Sequence, residues 1–144
     1  MDILGFVIDG EYYAIDVRRA ERFVRNIIIT PLPAAPAPVA GITNIKGGIV
    51  TLFSLARILG RNHNEYAPHA LIFKKDDDTG EQIGILIHQT DQLINLADEA
   101  VIPVQLSKQN DEFPRFIIGL AEVDDRLYRI IDIDELNAAV CEFV

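Results

Sequence analysis

The stretch ITPLPAAPAPVAGITNIKGGIV, residues 29–50, holds the features from which the fold is best predicted. Its prolines lack a backbone N–H donor and fix φ, so neither a helix nor a central strand can run through them; they are Pro31, Pro33, Pro36 and Pro38. We therefore expect an extended connection. The second half sets Lys46 and three glycines among β-branched residues, a composition open to four interpretations: a tight hairpin turn, a phosphate-binding loop, a catalytic lysine or a binding knuckle.

On either side of this stretch, the chain carries hairpin signals. Apolar runs flank the turn-forming pairs Asp9-Gly10 and Asp124-Asp125 and the polar segment 76–80, and such turn residues between alternating runs predict antiparallel strand pairs. The first hairpin should bury one face, formed by Phe6, Ile8, Tyr13, Ile15 and Val17. Residues 22–29, RFVRNIII, are expected to extend the same sheet.

Helical signals are few. A strand over residues 49–53 is expected to pass into one or two helical turns, with Ser54 as N-cap and Gly60 as the stop. After Asp132, which with Asp134 can cap a helix, apolar residues recur near helical spacing; they are Ile133, Leu136, Val140 and Phe143. The sequence therefore predicts an all-β class that closes with one amphipathic helix.

Composition narrows the functional classes. The chain has 144 residues, 49% of them apolar, which suits one domain with a sizeable core. Its net charge of -9 repels phosphate backbones, so nucleic acid is not an expected partner. No apolar run is long enough to cross a bilayer and no secretion signal is evident, which leads us to expect a cytoplasmic protein without membrane insertion. A single cysteine, Cys141, cannot form an internal disulfide.

Metal chemistry is not indicated by the sequence. The histidines and the cysteine are scattered without ligand-like spacing. His63 and His69 are expected to be solvated residues of a polar loop, and Asp76, Asp77 and Asp78 a solvated turn. We expect neither a metal nor a cofactor.

Catalytic chemistry is not indicated either. No nucleophile motif surrounds Ser54, Ser107 or Cys141, and we expect Cys141 to act as a small apolar residue of the last helix. Four acids have structural explanations, because a predicted turn and a predicted helix start offer backbone N–H donors to their carboxylates; they are Asp124, Asp125, Asp132 and Asp134. The residue after Lys46 is Gly47, so the stretch fails the phosphate-loop pattern.

The order of these features resembles that of the CheW-like adaptor family of bacterial chemosensory signalling. Relatives place an ITPLP.AP..V.GV.NLRG segment where this chain has residues 29–50. The resemblance rests on four stretches in the same order: FVIDGEYYAIDV at 6–17, the segment 29–50, IGILIHQTDQLINL at 83–96 and FIIGLAEVDDRLYRIIDIDEL at 116–136.

This resemblance implies an all-β fold of two interlocked, SH3-like five-stranded β-barrels, with a short helix between strands and a C-terminal helix. Residues 1–144 would form a single domain of two intertwined barrel subdomains. It also implies a non-catalytic adaptor that couples the cytoplasmic tip of a methyl-accepting chemotaxis receptor to the regulatory domain of a CheA-type histidine kinase. In the family, the receptor helix uses the groove between barrels and the kinase uses a barrel face.

Carried over by position, the resemblance predicts a partner-binding set; it comprises Arg22, Phe23, Gly41, Ile42, Asn44, Ile45, Lys46 and Gly47. Apolar members would supply binding energy if exposed, and the cations would set orientation. Core packing of the apolar members, a solvated strand position for Arg22 and a plain turn for Lys46 are the alternatives.

Several positions depart from the family pattern. Lysine at 46 keeps the charge of the usual arginine but loses its planar fork. At position 22 an arginine replaces a glutamate, which reverses the charge. The remaining departures are Phe23 for valine or isoleucine, Thr51 for proline, Ser54 for aspartate and Ala56 for arginine. We interpret the chain as a divergent member with its own partner preference, as in an alternative route such as surface motility.

Two other hypotheses stay open at this point. One is a small enzyme or ligand-binding barrel that uses Lys46 with a carboxylate, which requires a pocket that desolvates a titratable group. The other is a spacer that occupies receptor tips without coupling the kinase.

Overall fold

The computed structural model describes residues 1–61, 66–104 and 113–142, so the predictions for His63, Ser107 and Phe143 lie outside the described residues. Strands dominate the described chain. They are β1 Asp2–Ile8, β2 Glu11–Asp16, β3 Ala20–Val24, β4 Val39–Ile45, β5 Gly48–Phe53, β6 His69–Phe73, β7 Ile83–Ile87, β8 Gln89–Asn95, β9 Ile102–Pro103, β10 Ile117–Val123 and β11 Arg126–Ile131, with helices α1 Leu55–Ile58 and α2 Ile133–Cys141.

The strands form two sheets, and the chain passes from the first sheet to the second and back again. Sheet 1 has six strands in the order β8-β1-β2-β11-β10-β9, and sheet 2 has five in the order β3-β6-β7-β5-β4. Strands from both ends of the chain thus form sheet 1, where β11 pairs with β2 in parallel, while β3 to β7 form sheet 2. The all-β prediction is confirmed.

Turn chemistry accounts for the hairpins. The β1–β2, β4–β5 and β10–β11 turns each have two central residues with positive φ, as a two-residue turn of this hand requires; the pairs are Asp9-Gly10, Lys46-Gly47 and Asp124-Asp125. In the β6–β7 connection, Asp76 Oδ1 accepts hydrogen bonds from Asp78 N at 2.8 Å and Thr79 N at 3.1 Å. The predicted hairpins are therefore confirmed.

The path after β2 differs from the prediction for residues 22–29. Asp16 Oδ1 accepts a hydrogen bond from Arg18 N at 3.0 Å and caps a 3-10 turn, Val17–Arg19, so Val17 leaves the strand. This turn directs the chain away from sheet 1, and β3 becomes an edge of sheet 2 instead of extending the first sheet.

The hydrogen-bonded sheets stay open within the described residues, where closed five-stranded barrels were expected. In sheet 2, β3 and β4 are the two edges. Thr30 covers part of the β4 edge by exchanging two backbone hydrogen bonds with Ile42, at 2.8 and 2.9 Å. One residue of the segment between β3 and β4 thus lies along the β4 edge of sheet 2.

Three apolar clusters hold the strands. One belongs to sheet 1, and it contains Ile3, Ala14, Leu96, Ala121, Tyr128 and Ile130. One belongs to sheet 2, and it contains Ala40, Val50, Leu52, Ala70, Ile72 and Leu86. The third joins both sheets to α2 and includes Phe6, Tyr13, Phe73, Phe116 and Leu136. Consecutive residues of β6 and β7 are buried, so these two strands are apolar on both faces.

The helices begin where the sequence predicts. Ser54 Oγ accepts a hydrogen bond from Arg57 N at 3.4 Å, and Asp132 Oδ1 accepts one from Glu135 N at 3.1 Å. Gly60 ends the first helical segment with φ of 78°. The α2 helix buries Ile133, Leu136 and Val140 but leaves Cys141 exposed, not packed as a core residue.

One histidine prediction was wrong. His69 is not a loop residue, because it begins β6 and is half-buried. Its Nδ1 accepts a hydrogen bond from Asn26 N at 2.9 Å, which stabilises the positive φ of Asn26. Of the described helices, none has the length and hydropathy that a membrane span requires.

Candidate functional site

Residues 41–47, here called the knuckle, form the outer strand and tip of the β4–β5 hairpin. Ile45 pairs with Gly48, which leaves Lys46 and Gly47 as the two turn residues. Asn44 Oδ1 accepts a hydrogen bond from Gly47 N at 2.9 Å, so the asparagine holds the turn closed. Lys46 projects from the tip as an exposed side chain.

The knuckle divides into buried and exposed residues. Gly41 is buried. A Cβ added at this position would overlap the Thr30 carbonyl oxygen and lie 2.7 Å from Ile29 Cγ2. Ile42 and Ile45 are half-buried, and Ile45 packs against the sheet 2 cluster. Gly41 is therefore required by the close approach of two backbones, while Asn44, Lys46 and Gly47 supply the exposed surface.

The other predicted site residues lie on β3. Phe23 is half-buried, packs against the cluster between the sheets and meets His69 edge-on, with ring centroids 5.5 Å apart. Arg22 is the neighbour of Phe23 and so lies on the opposite face of β3, where its cross-strand partner is Ile72. Because β6, β7 and β5 separate β3 from β4 in the sheet order, the sheet does not bring these residues beside the knuckle.

A groove between sheet 2 and α2, here called the α2 groove, was missed from the sequence. Its volume is about 540 Å³, and its mainly apolar lining includes Val39, Ile49, Phe53, Ile83, Val140 and Cys141. Ile49 is 58% exposed and pairs with Asn44, so the groove begins next to the knuckle. Two features of the sequence could have indicated this groove: the β-branched Ile49 directly after two glycines, and the apolar side of α2.

An ion pair fixes the helical wall of this groove. Arg19 donates two hydrogen bonds to the Asp134 carboxylate, at 3.1 and 3.0 Å. The guanidinium holds the pKa of Asp134 below its usual value through these bonds, although the Asp134 side chain is 74% exposed and that of Arg19 is 39% exposed. The link ties the turn before β3 to the first turn of α2.

A second polar cluster links the two sheets. Arg61, just after α1, donates to Glu11 and lies 3.5 Å from the Asp9 carboxylate. The Tyr13 hydroxyl donates to Glu11 Oε2 at 2.9 Å. The bond from Arg61 lowers the pKa of Glu11, and burial followed by the bond to Glu11 raises the pKa of Tyr13.

The position of Lys46 does not support the hypothesis of an enzyme or ligand-binding barrel that uses this lysine with a carboxylate. It required Lys46 to be desolvated beside a carboxylate, whereas Lys46 is exposed at a hairpin tip. Across residues 1–61, 66–104 and 113–142, no group of three or more His, Cys, Asp or Glu residues is placed to hold a metal ion.

Comparisons with known proteins agree with the architecture. A family model described as the CheW-like domain matches residues 2–140. The chain is 28% identical over 135 residues to "Chemotaxis protein CheW" of Thermotoga maritima, covering 94% of this chain and 86% of the relative. It is 27% identical over 139 residues to the protein of the same name from Helicobacter pylori, covering 94% and 81%.

A solved structure has a similar fold. The crystal structure of scaffolding protein TtCheW from Thermoanaerobacter tengcongensis aligns with a TM-score of 0.76 at 21% identity, covering 91% of this chain and 88% of that one. This similarity confirms the expected SH3-like, all-β fold.

Proposed function

Because the chain belongs to the CheW-like domain family, we propose that it is a chemosensory adaptor that couples a chemoreceptor tip to a CheA-type histidine kinase and catalyses no reaction. The observation that carries the proposal is the family match over residues 2–140. The names of the relatives, chemotaxis proteins and a scaffolding protein, support it. A cytoplasmic location follows from these partners.

In this proposal the receptor helix lies in the α2 groove, whereas the resemblance implied the groove between the two barrels. An apolar groove of this kind suits the apolar face of an amphipathic helix. Lys46 and Asn44 stand at the near end, where they can orient an incoming helix by charge and hydrogen bonding. The kinase regulatory domain binds an exposed face of the sheets, and the departures from the family pattern set the preference for particular partners.

The test uses the full chain, the cytoplasmic fragments of chemoreceptors and the CheA-type kinases encoded in the same genome. Calorimetry is expected to detect binding to a receptor and to a kinase, and receptor control of kinase autophosphorylation should require the chain. Receptor binding without kinase binding would favour the spacer hypothesis. Binding to neither partner would overturn the adaptor proposal.

A matched pair of variants tests the groove. Ile49→Asp places a charge on the groove and should weaken receptor binding by about tenfold or more, because central apolar contacts dominate such interfaces. Leu93→Asp is the control, since Leu93 is a comparably exposed apolar residue on sheet 1, at 65% against 58% for Ile49. Equal effects of the two variants would remove the α2 groove from the proposal.

A further inference from the structure

Two histidines of the described chain accept a hydrogen bond from a backbone N–H group through ring atom Nδ1. His69 accepts one from Asn26 N at 2.9 Å, and His88 accepts one from Asp9 N at 3.2 Å. Both donor residues have a positive φ, of 48° and 52°, which few L-residues adopt. Each histidine therefore helps to hold an uncommon backbone conformation in place.

The hydrogen bond from Asn26 requires a neutral His69 ring. A neutral imidazole has one nitrogen that accepts and one that donates, whereas the protonated ring carries a hydrogen on both nitrogens. Protonation would therefore set two N–H groups against each other across a distance of 2.9 Å. The ring is also half-buried and meets Phe23 edge-on, so rotation away from Asn26 would disturb that contact. Acid is thus expected to break the bond to Asn26.

The surroundings of His69 provide no anion that would stabilise a charged ring. The one acid of β3, Glu21, lies towards the other end of the strand, where its carboxylate accepts a hydrogen bond from Gln82 Nε2. No carboxylate of the described residues forms an ion pair with His69. The remaining charged or titratable groups on the elements next to this ring are Arg22 and Arg25 on and after β3, Tyr66 before β6 and His88 after β7.

The bond from Asn26 is the first of several that hold the connection between β3 and β4. Ile27 N donates to Pro68 O at 3.0 Å, so two successive residues are fixed to the chain that enters β6. Thr30 then exchanges two hydrogen bonds with Ile42 on the β4 edge, within the knuckle. Because these anchor points lie close together along the chain, loosening the first will weaken the second.

We propose that His69 is a pH-sensitive clasp, whose neutral ring holds this connection over the β4 edge and whose protonation releases it. The clasped state contains the neutral ring, so the released state binds more protons and acid favours it. The clasp is complete at the upper end of the range of about pH 5 to 8 in which histidines titrate, and it is lost as pH falls through that range. Release leaves backbone groups of Ile42 unpaired beside the exposed residues of the knuckle. This device belongs to the chain itself and does not depend on the adaptor function.

Amide hydrogen exchange measured by NMR on the full chain tests the clasp. The measurements are made at about pH 7.5 and about pH 5.5, on either side of the ordinary histidine titration. After correction for the intrinsic exchange rate, protection of the Asn26, Thr30 and Ile42 amides should fall by about threefold or more at the lower pH, as expected for the loss of one hydrogen bond. The amide of Ile85, in the central strand of sheet 2, is the internal control and should keep its protection. Unchanged protection of all three amides would overturn the proposal.

Two variants of His69 separate titration from packing. His69→Asn places an amide oxygen near the position of Nδ1, so it can accept the bond from Asn26 but does not titrate. Protection of Thr30 and Ile42 should then be the same at both pH values. His69→Phe keeps an aromatic ring against Phe23 but removes the acceptor, so protection should be low at both. A pH dependence that persists in either variant would assign the effect to other groups and contradict the clasp.

His88→Phe is the matched control, because it removes the same kind of ring from the same kind of bond at another turn. It should leave the pH dependence at Thr30 and Ile42 intact, and its loss in this variant would move the device away from His69. Nitrogen NMR of the His69 ring gives an independent readout. At about pH 7.5 the clasp requires the hydrogen on Nε2. A hydrogen on Nδ1 at that pH would also overturn the proposal.

Discussion

At the scale of single residues, Lys46 occupies a position in the knuckle that serves the hairpin turn and is also predicted to bind a partner. Lys46 adopts φ of 51°, a conformation that a two-residue turn demands and that few L-residues favour. Asn44 and Gly47 stabilise this turn through one hydrogen bond of 2.9 Å. The turn interpretation of the sequence was therefore correct, and the binding interpretation stays a prediction that the exposed lysine permits.

Lys46→Glu separates these two roles. Because the side chain is exposed and both residues carry the same backbone constraint, the free energy of unfolding should change by less than about 0.5 kcal/mol. Affinity for receptor or kinase should fall, since the charge at the hairpin tip is reversed. Urea denaturation and calorimetry measure the two effects.

Lys75→Glu is the control for this reversal, because Lys75 is also exposed and lies in the β6–β7 connection. It should leave both stability and affinity unchanged. Undisturbed binding of the Lys46 variant to both partners would identify Lys46 as an ordinary turn residue.

At the scale of elements, the β4 edge depends on the backbone of the proline-rich connection. Thr30 exchanges two hydrogen bonds with Ile42, and Gly41 allows the chains to approach. The prolines predicted an extended connection but not that one residue of it would bridge to β4. Edge strands with free hydrogen-bonding groups invite pairing with other chains, so this cover also limits self-association.

Gly41→Ala tests this contact. An added Cβ would overlap Thr30 O, and forced shifts in packed structure destabilise by roughly 1–3 kcal/mol. Gly48→Ala is the matched control in the same hairpin, since its Cβ would meet Ile45 O at an acceptable 3.4 Å. Urea midpoints compare the two variants, and similar small effects would show that the close approach is easily relieved.

At the scale of the whole molecule, the two sheets share one apolar cluster and a polar cluster around Arg61 and Glu11. The Arg61–Glu11 pair lies between the first hairpin of sheet 1 and the end of α1, which follows sheet 2. These contacts support the prediction that residues 1–144 form a single domain of two intertwined parts, a prediction that a single cooperative unfolding transition would test.

The polar cluster predicts a pH dependence of stability. Arg61 lowers the pKa of Glu11 below its usual value of 4.5, so ionised Glu11 favours the folded state. That contribution is complete above about pH 4.5 and disappears as pH falls through the lower folded-state pKa. Because the carboxylate is about one third exposed, solvent screening limits the effect to about 1 kcal/mol or less.

Glu11→Gln measures this contribution. The difference in unfolding free energy between the unmodified chain and the variant should be constant from pH 7 to about 4.5 and shrink towards pH 3. Glu122→Gln, at an exposed position of β10, should show no such pH dependence. A constant difference down to pH 3 would mean that the pair does not couple ionisation to folding.

The sequence alone determined the all-β class, the hairpin turns and the helix caps, because these depend on the conformational preferences of a few adjacent residues. Asp9-Gly10, Asp124-Asp125, Ser54 and Asp132 all lie where local chemistry predicts. Only the tertiary structure decided that β8 pairs with β1 and β11 with β2, that α2 walls a groove and that Arg22 faces an apolar cluster. These features arise from contacts between residues far apart in the chain, which pack according to the shapes of whole faces that local preferences do not specify.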